Sequence, residues 1–238
     1  GGDQYEISLR VYLDCYGSLS TGTNPGLPYP SSLDLIFNTS CVGVTSFSSP
    51  AINPVEEEIS ELCPSELLNS SCANTQSPTP GVRQVTYTAT VTLDPGCVWT
   101  IIWNEFNWSL QYMNMTPVFN QRAVIRSIID TNFPCADSPQ IVSTATNPAV
   151  QYFCLGQNDS FTITPSPAST NNTLTLAAAP LTYNSTTGAL NAVSGYTEPI
   201  GLSLINNGNG TYDVDWTAPN ATTGYYILPV ELEVVSGG

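Results

Sequence analysis

Seven cysteines are the residues of this sequence with the most specific chemistry. No two of them stand about two to four residues apart, and the chain has no histidine, so a zinc site lacks both its usual spacing and its nitrogen ligands. In a chain with few charges and many Asn and Thr residues, they instead indicate the disulfides of an exported protein. The disulfide candidates are Cys15, Cys41, Cys63, Cys72, Cys135 and Cys154.

The pairing of these cysteines stays open in the sequence. Because seven is an odd number, at least one thiol is free or pairs with another chain. Closeness in sequence favours the bridges Cys63–Cys72 and Cys135–Cys154, although many other arrangements fit the same spacing.

Nine Asn-x-Ser/Thr motifs are candidate glycosylation sites, provided that the host has the machinery. A chain rich in Asn, Ser and Thr also generates such motifs by chance, and both interpretations stay open. The acceptor residues are Asn38, Asn69, Asn107, Asn114, Asn158, Asn171, Asn184, Asn209 and Asn220.

Clustered carboxylates suggest calcium as the only cofactor to consider, because hard cations need several oxygen ligands. Asp213 and Asp215 stand two residues apart in an alternating segment, and the turn before them contains Asn207 and Asn209. An acidic outer face of a strand explains the same spacing more simply. Asp213 and Asp215 are therefore a weak calcium candidate, and no other metal or cofactor site is predicted.

The composition excludes most common catalytic systems. Without histidine there is no Ser-His-Asp or Cys-His pair, and without lysine there is no Schiff base and no P-loop lysine. A glycosidase with two carboxylates remains, and Glu105 is its candidate because aromatic residues surround it in sequence. A strand whose tryptophans fill a core explains this pattern better, so no catalytic residue is assigned and no enzyme is predicted. These neighbours are Trp99, Trp103, Phe106 and Trp108.

The charge balance limits the possible partners. Four Lys+Arg against 19 Asp+Glu give a formal net charge of −15, which disfavours nucleic acid. No apolar run is long enough to span a membrane as a helix, and no signal peptide is recognised, so we interpret the chain as a mature fragment of something longer. The arginines are expected to form salt bridges between domains or subunits. They are Arg10, Arg83, Arg122 and Arg126.

Two-residue alternation of apolar and polar side chains predicts antiparallel strands. In the clearest run, four threonines alternate with the apolar residues Val85, Tyr87, Ala89, Val91 and Leu93. Comparable runs cover residues 5–13, 212–216 and 228–234.

Turn-forming residues separate these strands. The cluster from Asn206 to Gly210 predicts a hairpin, and Asp94-Pro95-Gly96 predicts a tight turn. Only Val55–Leu68 has a pattern compatible with a helix. A segment near 131–139 that is rich in proline and small polar residues interrupts the strands. It predicts the boundary between two β-sandwich domains.

Several segments share, in order, the pattern of one known module: Tyr5–Cys15, Val85–Cys97 with Trp99 and Trp103, the short pieces Cys135, Ser138-Pro139, Phe153-Cys154 and Gly156-Gln157, and Gly210–Pro219 with Gly224-Tyr225. Together they resemble a repeat module of very large secreted cell-surface proteins of Bacteroidota, similar to gliding-motility adhesins. The chain departs from that family at three places. Leu13 stands where the family has arginine, Asn104–Asn107 lacks the family's adjacent cysteines and Arg-Asn, and Ser166–Asn172 lacks the carboxylates of its calcium-type loop.

The resemblance implies two tandem immunoglobulin-like antiparallel β-sandwiches in an all-β chain. Residues 1–134 would form an N-terminal sandwich with long disulfide-tied loops, and residues 135–238 a cadherin- or immunoglobulin-like C-terminal sandwich. The implied role is a non-catalytic structural or adhesive unit of a secreted cell-surface filament. Its partners would be identical or homologous modules, and surface polysaccharide is a further candidate. The alternative is a carbohydrate-binding module with an aromatic face that includes Trp108 and Tyr112.

Overall fold

The computed structural model of the chain describes residues 2–15, 32–60, 67–74, 76–77, 79, 81–104, 114–115, 124–132, 140–143, 158–166, 173–177, 179–184, 187, 189–217, 226 and 228–233. Within these residues the regular structure is β-strand, apart from one short 3₁₀ turn, Leu67–Asn69. The prediction of an all-β chain is therefore confirmed.

The chain divides into two compact units. Unit 1 comprises Gly1–Glu105 with Ile125–Ala136, and unit 2 comprises Phe106–Val124 with Asp137–Gly238. The expected domain boundary after residue 134 and the immunoglobulin-like topology stay predictions.

Unit 1 contains one six-stranded antiparallel sheet in the order β1-β4-β3-β2-β5-β6. Its strands are β1 (Asp3–Asp14), β2 (Ser32–Thr39), β3 (Phe47–Glu58), β4 (Val82–Leu93), β5 (Val98–Trp103) and β6 (Ile125–Asp130). β1 and β4 are each 12 residues long and pair along their whole length.

Alternation along β4 determines which face of the sheet is buried. Val85, Tyr87 and Leu93 are each at most 1% exposed, and the alanine and valine between them are also buried. The intervening threonines lie on the other face, where Thr90 and Thr92 are exposed. The sequence pattern thus correctly identifies the core face of this strand.

β3 takes part in both halves of the sheet. Its first half pairs with β2 as far as Ile52, which also pairs with Thr88 of β4, and its second half pairs with β4 from Val55 onward. The register shifts between Ile52 and Val55, where Asn53 has a φ of 54° and Pro54 follows. A bulge of this kind lets a strand bend from one layer into another. We infer that β3 forms a corner between a layer of β1 and β4 and a layer of β2, β5 and β6.

The connection from β4 to β5 supports this folded arrangement. Two strands lie between β4 and β5 in the sheet order, so a flat sheet would place them about 14 Å apart. The connection is instead a compact turn, Asp94–Cys97, with Gly96 at a φ of 76°. Trp99 Nε1 donates to the Asp94 carbonyl at 3.3 Å, and so does the Thr131 hydroxyl at 2.9 Å. The start of β5 therefore lies against the end of β4.

Unit 2 is built from shorter strands in three antiparallel sheets. Their orders are β12-β13-β8-β7, β14-β9 and β10-β11. The strands are β7 (Gln140–Ser143), β8 (Asn158–Ser166), β9 (Thr173–Leu176), β10 (Leu181–Asn184), β11 (Ala189–Ala192), β12 (Leu202–Asn206), β13 (Tyr212–Thr217) and β14 (Val230–Glu233).

The core of unit 2 lies between the four-stranded sheet and the β14-β9 pair. Ile163 of β8 and Tyr212 and Val214 of β13 form one buried cluster with Leu174 of β9. Val230 and Leu232 of β14, and Leu228 just before it, pack against this cluster. The predicted hairpin after Asn206 is confirmed, because β12 and β13 pair directly across that turn.

The predicted helix over Val55–Leu68 is wrong over Val55–Glu58, and at its other end Leu67 and Leu68 lie in the short 3₁₀ turn. Val55 and the three glutamates after it continue β3 and pair with β4. Arg83 of β4 lies in this register, and its Nε atom is 2.8 Å from Glu56 Oε1. Cross-strand pairing thus overrides the local helical pattern. Residues 61–66 lie outside the described part of the chain.

Substitutions of Asn53 test the corner in β3. Because Asn53 is exposed and has a positive φ, Asn53→Val should destabilise unit 1 by about 1–2 kcal/mol through backbone strain. Asn53→Gly should be neutral or slightly stabilising. Urea unfolding midpoints measure both effects. Equal stability of the two variants would contradict the strained corner.

Candidate functional site

The Cys41–Cys97 disulfide lies at the end of the sheet where β2 ends and β5 begins. The antiparallel register continues past both strands, since the Ser40 N–H donates to the Val98 carbonyl at 3.1 Å. The next pair in this register is Cys41 with Cys97, whose Cα atoms are 5.5 Å apart. Strand pairing alone therefore brings these two thiols to facing positions.

The buried Thr131 fixes the backbone next to this bridge. Its N–H donates to the Cys97 carbonyl at 2.9 Å, and its hydroxyl oxygen accepts the Cys97 N–H at 2.9 Å. Both main-chain polar groups of Cys97 are thus satisfied by a residue at the end of β6. The bridge and the hydrogen bonds together join β2, β5 and β6.

The Cys15–Cys72 disulfide lies at the end where β1 stops and β4 starts. The Cys15 N–H donates to the Gly81 carbonyl at 2.9 Å, which extends the β1–β4 register by one pair. Cys72 comes from the loop before β4, and its Cα lies 4.9 Å from that of Cys15. A Cβ atom on Gly81 would stand 2.7 Å from Cys72 Sγ, so the absence of a side chain at residue 81 makes room for the bridge.

Buried serine hydroxyls hold the loop that carries Cys72. Ser70 and Ser71 are 0% and 1% exposed. Ser71 Oγ accepts the Gly81 N–H at 2.8 Å, and Ser60 Oγ accepts the Val82 N–H at 2.9 Å. These bonds satisfy main-chain donors just before and at the start of β4. The loop is therefore packed against the strand in addition to being covalently linked.

The two bridges close opposite ends of unit 1. One lies before the first residue of β4 and the other follows its last residue, so the length of this strand, about 40 Å, separates them. Each bridge closes a long stretch of chain, with sequence separations of 57 and 56 residues. The arrangement holds the sheet together at both ends.

The disulfide predictions are confirmed in part. Cys15, Cys41 and Cys72 are half-cystines, but the preferred Cys63–Cys72 pairing is wrong because Cys72 is bonded to Cys15. Cys97 was missing from the candidates, although its position directly after an Asp-Pro-Gly turn and before an alternating strand marks a strand end. Cys63, Cys135 and Cys154, and with them the pair Cys135–Cys154, lie outside the described residues.

Hydroxyl-bearing residues of the two neighbouring strands lie beside the aspartates of β13. Asp213 accepts a hydrogen bond from the Thr162 hydroxyl at 2.6 Å, and Asp215 lies opposite Ser160 and Ser203. In the described ranges, no group of three or more His, Cys, Asp or Glu residues could hold a metal ion. These contacts favour the interpretation as a polar outer face of the sheet.

The asparagines of the neighbouring turn bond within the turn itself. Asn207 Nδ2 donates to the Thr211 hydroxyl at 3.1 Å, and Asn209 Oδ1 accepts the Thr211 N–H at 3.0 Å. These side chains stabilise the β12–β13 hairpin. Calcium at Asp213 and Asp215 stays a prediction.

Two of the tryptophans near the candidate carboxylate belong to the core. Trp99 and Trp103 of β5 are 1% and 4% exposed, so neither offers an open face for stacking on a sugar. The glycosidase and sugar-binding hypotheses therefore depend on residues outside the described part of the chain. These are Glu105, Phe106, Trp108 and Tyr112.

The described arginines lie on strands. Arg83 has a partner inside its own sheet, Glu56, whereas the sequence favoured contacts between domains or subunits. Arg10 is exposed on β1 and forms a side-chain hydrogen bond with Tyr12. Burial raises the pKa of Tyr12 above its usual value, and the charge and hydrogen bond of Arg10 oppose this rise. Arg126 lies on β6, and Arg122 is outside the described residues.

The candidate glycosylation sites differ in accessibility. Asn114 is only 4% exposed, so the folded chain leaves its side chain no room for a glycan. Asn38 is half-buried on β2. Asn69, Asn158, Asn184 and Asn209 are exposed. Asn107, Asn171 and Asn220 lie outside the described residues.

Two comparisons of the sequence with known proteins find no match. Neither a protein-family model nor a curated protein sequence matches the chain. Across the residues that the structure describes, no helix has the length and apolarity needed to cross a membrane.

Removal of either bridge tests its structural role. Cys41→Ser with Cys97→Ser, or Cys15→Ser with Cys72→Ser, should lower the free energy of unfolding by about 2–5 kcal/mol because the unfolded chain regains loop entropy. The two losses should not add, because the bridged segments overlap in sequence. Urea unfolding of the oxidised proteins measures the losses. Losses below about 0.5 kcal/mol would contradict this role.

Gly81→Ala tests the close approach of the loop to β4. The added Cβ would meet Cys72 Sγ at 2.7 Å, so we expect a loss of about 1–3 kcal/mol. The matched control is the same substitution in the variant with Cys15→Ser and Cys72→Ser, where the smaller oxygen should reduce the loss. The same loss in both backgrounds would show that the sulfur is not the obstacle.

Proposed function

We propose that the chain is a structural or adhesive building block of an extracellular surface fibre or giant adhesin. The observation that carries this proposal is the pair of disulfides at opposite ends of unit 1. Disulfides persist in oxidising compartments and limit local unfolding where no chaperone is present. The resemblance to modules of secreted Bacteroidota surface proteins supports the same role.

The charge of the chain also supports a spacer or fibre role. A net charge of −15 with only four cations gives a surface on which neighbouring units repel one another at long range. Such repulsion keeps consecutive modules extended and discourages direct adhesion to anionic polysaccharide. Attachment would therefore come from specific contacts between modules, for which exposed strand edges are suitable.

Surface labelling in the organism that encodes the chain tests the proposed function. Antibodies raised against the folded chain should label intact, unpermeabilised cells, and electron microscopy should place the label on filaments or surface layers. A cytoplasmic marker protein is the control for cell integrity. Label that appears only after permeabilisation would overturn the proposal. Label on the surface that is displaced by a soluble polysaccharide would support the carbohydrate-binding alternative.

A further inference from the structure

β1 lies at an edge of the six-stranded sheet, and among the described strands it pairs with β4 alone. Because the Cys15 N–H bonds to Gly81, odd-numbered residues of this ladder direct their main-chain groups toward β4. The even-numbered residues therefore direct their N–H and C=O groups away from β4, toward the open side of β1. Their side chains lie on the outer face, where Gln4, Glu6, Ser8 and Arg10 are exposed.

The sequence of β1 is complementary to itself when two copies run antiparallel. With Ser8 opposite Ser8, Glu6 of each copy lies opposite Arg10 of the other. Other registers that keep even-numbered residues opposite one another lose this match. One of them places Glu6 opposite Glu6, and another places Arg10 opposite Arg10. Opposite charges at facing positions stabilise a strand pair, and like charges destabilise it.

In the same register, the side chains on the inner face of the two strands are also compatible with pairing. Ile7 would lie opposite Leu9 of the second copy, and Tyr5 opposite Val11. Leu9 and Val11 are buried in the sandwich, while Tyr5 and Ile7 are half-buried. Apolar side chains would thus continue from one copy to the next beneath the paired edge.

We propose that β1 is a self-association edge, which pairs antiparallel with β1 of a second copy about a two-fold axis at Ser8. The pairing forms about ten main-chain hydrogen bonds between the chains. These bonds hold the two strands together, while the two Glu6–Arg10 pairs select the partner and the register. Arg10 has five N–H donors, so the Tyr12 contact and the Glu6 contact are compatible.

This contact rests on the proposed function, because it names the surface through which identical modules meet. A two-fold contact uses the same patch on both copies and closes on itself. It therefore gives dimers, and a fibre would need a second contact or a covalent link between modules. The edge pairing itself is testable in solution without cells.

Charge reversal tests the register. Sedimentation velocity over a concentration series should show a monomer–dimer equilibrium for the full chain. Arg10→Glu and Glu6→Arg should each raise the dimer dissociation constant about tenfold or more, since each sets like charges opposite one another twice. The double exchange of Glu6→Arg with Arg10→Glu should restore dimerisation, because it only inverts both pairs. A double variant as weak as the single variants would overturn the register.

Ser8→Pro tests the main-chain pairing. It removes an N–H that faces the open edge and leaves the β1–β4 hydrogen bonds in place, so the monomer should fold while the dimer is lost. Ser8→Ala is the matched control and should remain dimeric. Circular dichroism and thermal melts check that every variant is folded.

A wild-type chain that stays monomeric at all concentrations would overturn the β1 contact, and so would a folded Ser8→Pro variant that dimerises normally. Neither result bears on surface location. The proposed function fails if labelling places the chain inside the cell, or if soluble polysaccharide displaces the surface label, so the two failures are distinguishable.

Discussion

Covalent closure of unit 1 at both ends is the constraint on which this structure depends. The chain has few charged side chains with which to form ion pairs, and it has no lysine. Two overlapping bridges, Cys15–Cys72 and Cys41–Cys97, instead reduce the freedom of the unfolded chain. The Cys41–Cys97 bridge extends the β2–β5 register, and the Cys15–Cys72 bridge ties a loop to the end of the β1–β4 register. Oxidation therefore reinforces the same pairing that hydrogen bonds and core packing favour.

The corner that we infer in β3 explains how one sheet can bury a core. One long strand serves both layers, so a single sheet can enclose a core that includes Trp99 and Tyr87. Folding at a corner leaves the two terminal strands of the sheet, β1 and β6, without a second neighbour among the described strands. An edge of this kind is open to pairing with another chain unless other segments cover it. The geometry that builds the core thus also leaves these two strands at the edges of the sheet.

Sequence patterns predict the strands well and the long-range pairing poorly. Alternation identifies the buried face of β4, and the Asn-Gly cluster identifies the β12–β13 hairpin, because both signals are local. The Val55–Glu58 segment was misassigned, since only its pairing with Arg83 and its neighbours makes it a strand. The partner of Cys72 is 57 residues away, so no spacing rule could select it. The accessibility of a glycosylation motif also depends on residues distant in sequence. The burial of Asn114 in the folded chain is therefore not readable from its motif.

The two bridges of unit 1 are the most direct point at which the structure can be tested. Mass spectrometry of peptides from the native, unreduced protein, after free thiols have been blocked, identifies every cross-link. We predict one linked pair that contains Cys15 with Cys72 and another that contains Cys41 with Cys97. Blocked free thiols at these four positions, or a linked pair of Cys63 with Cys72, would contradict the central claim.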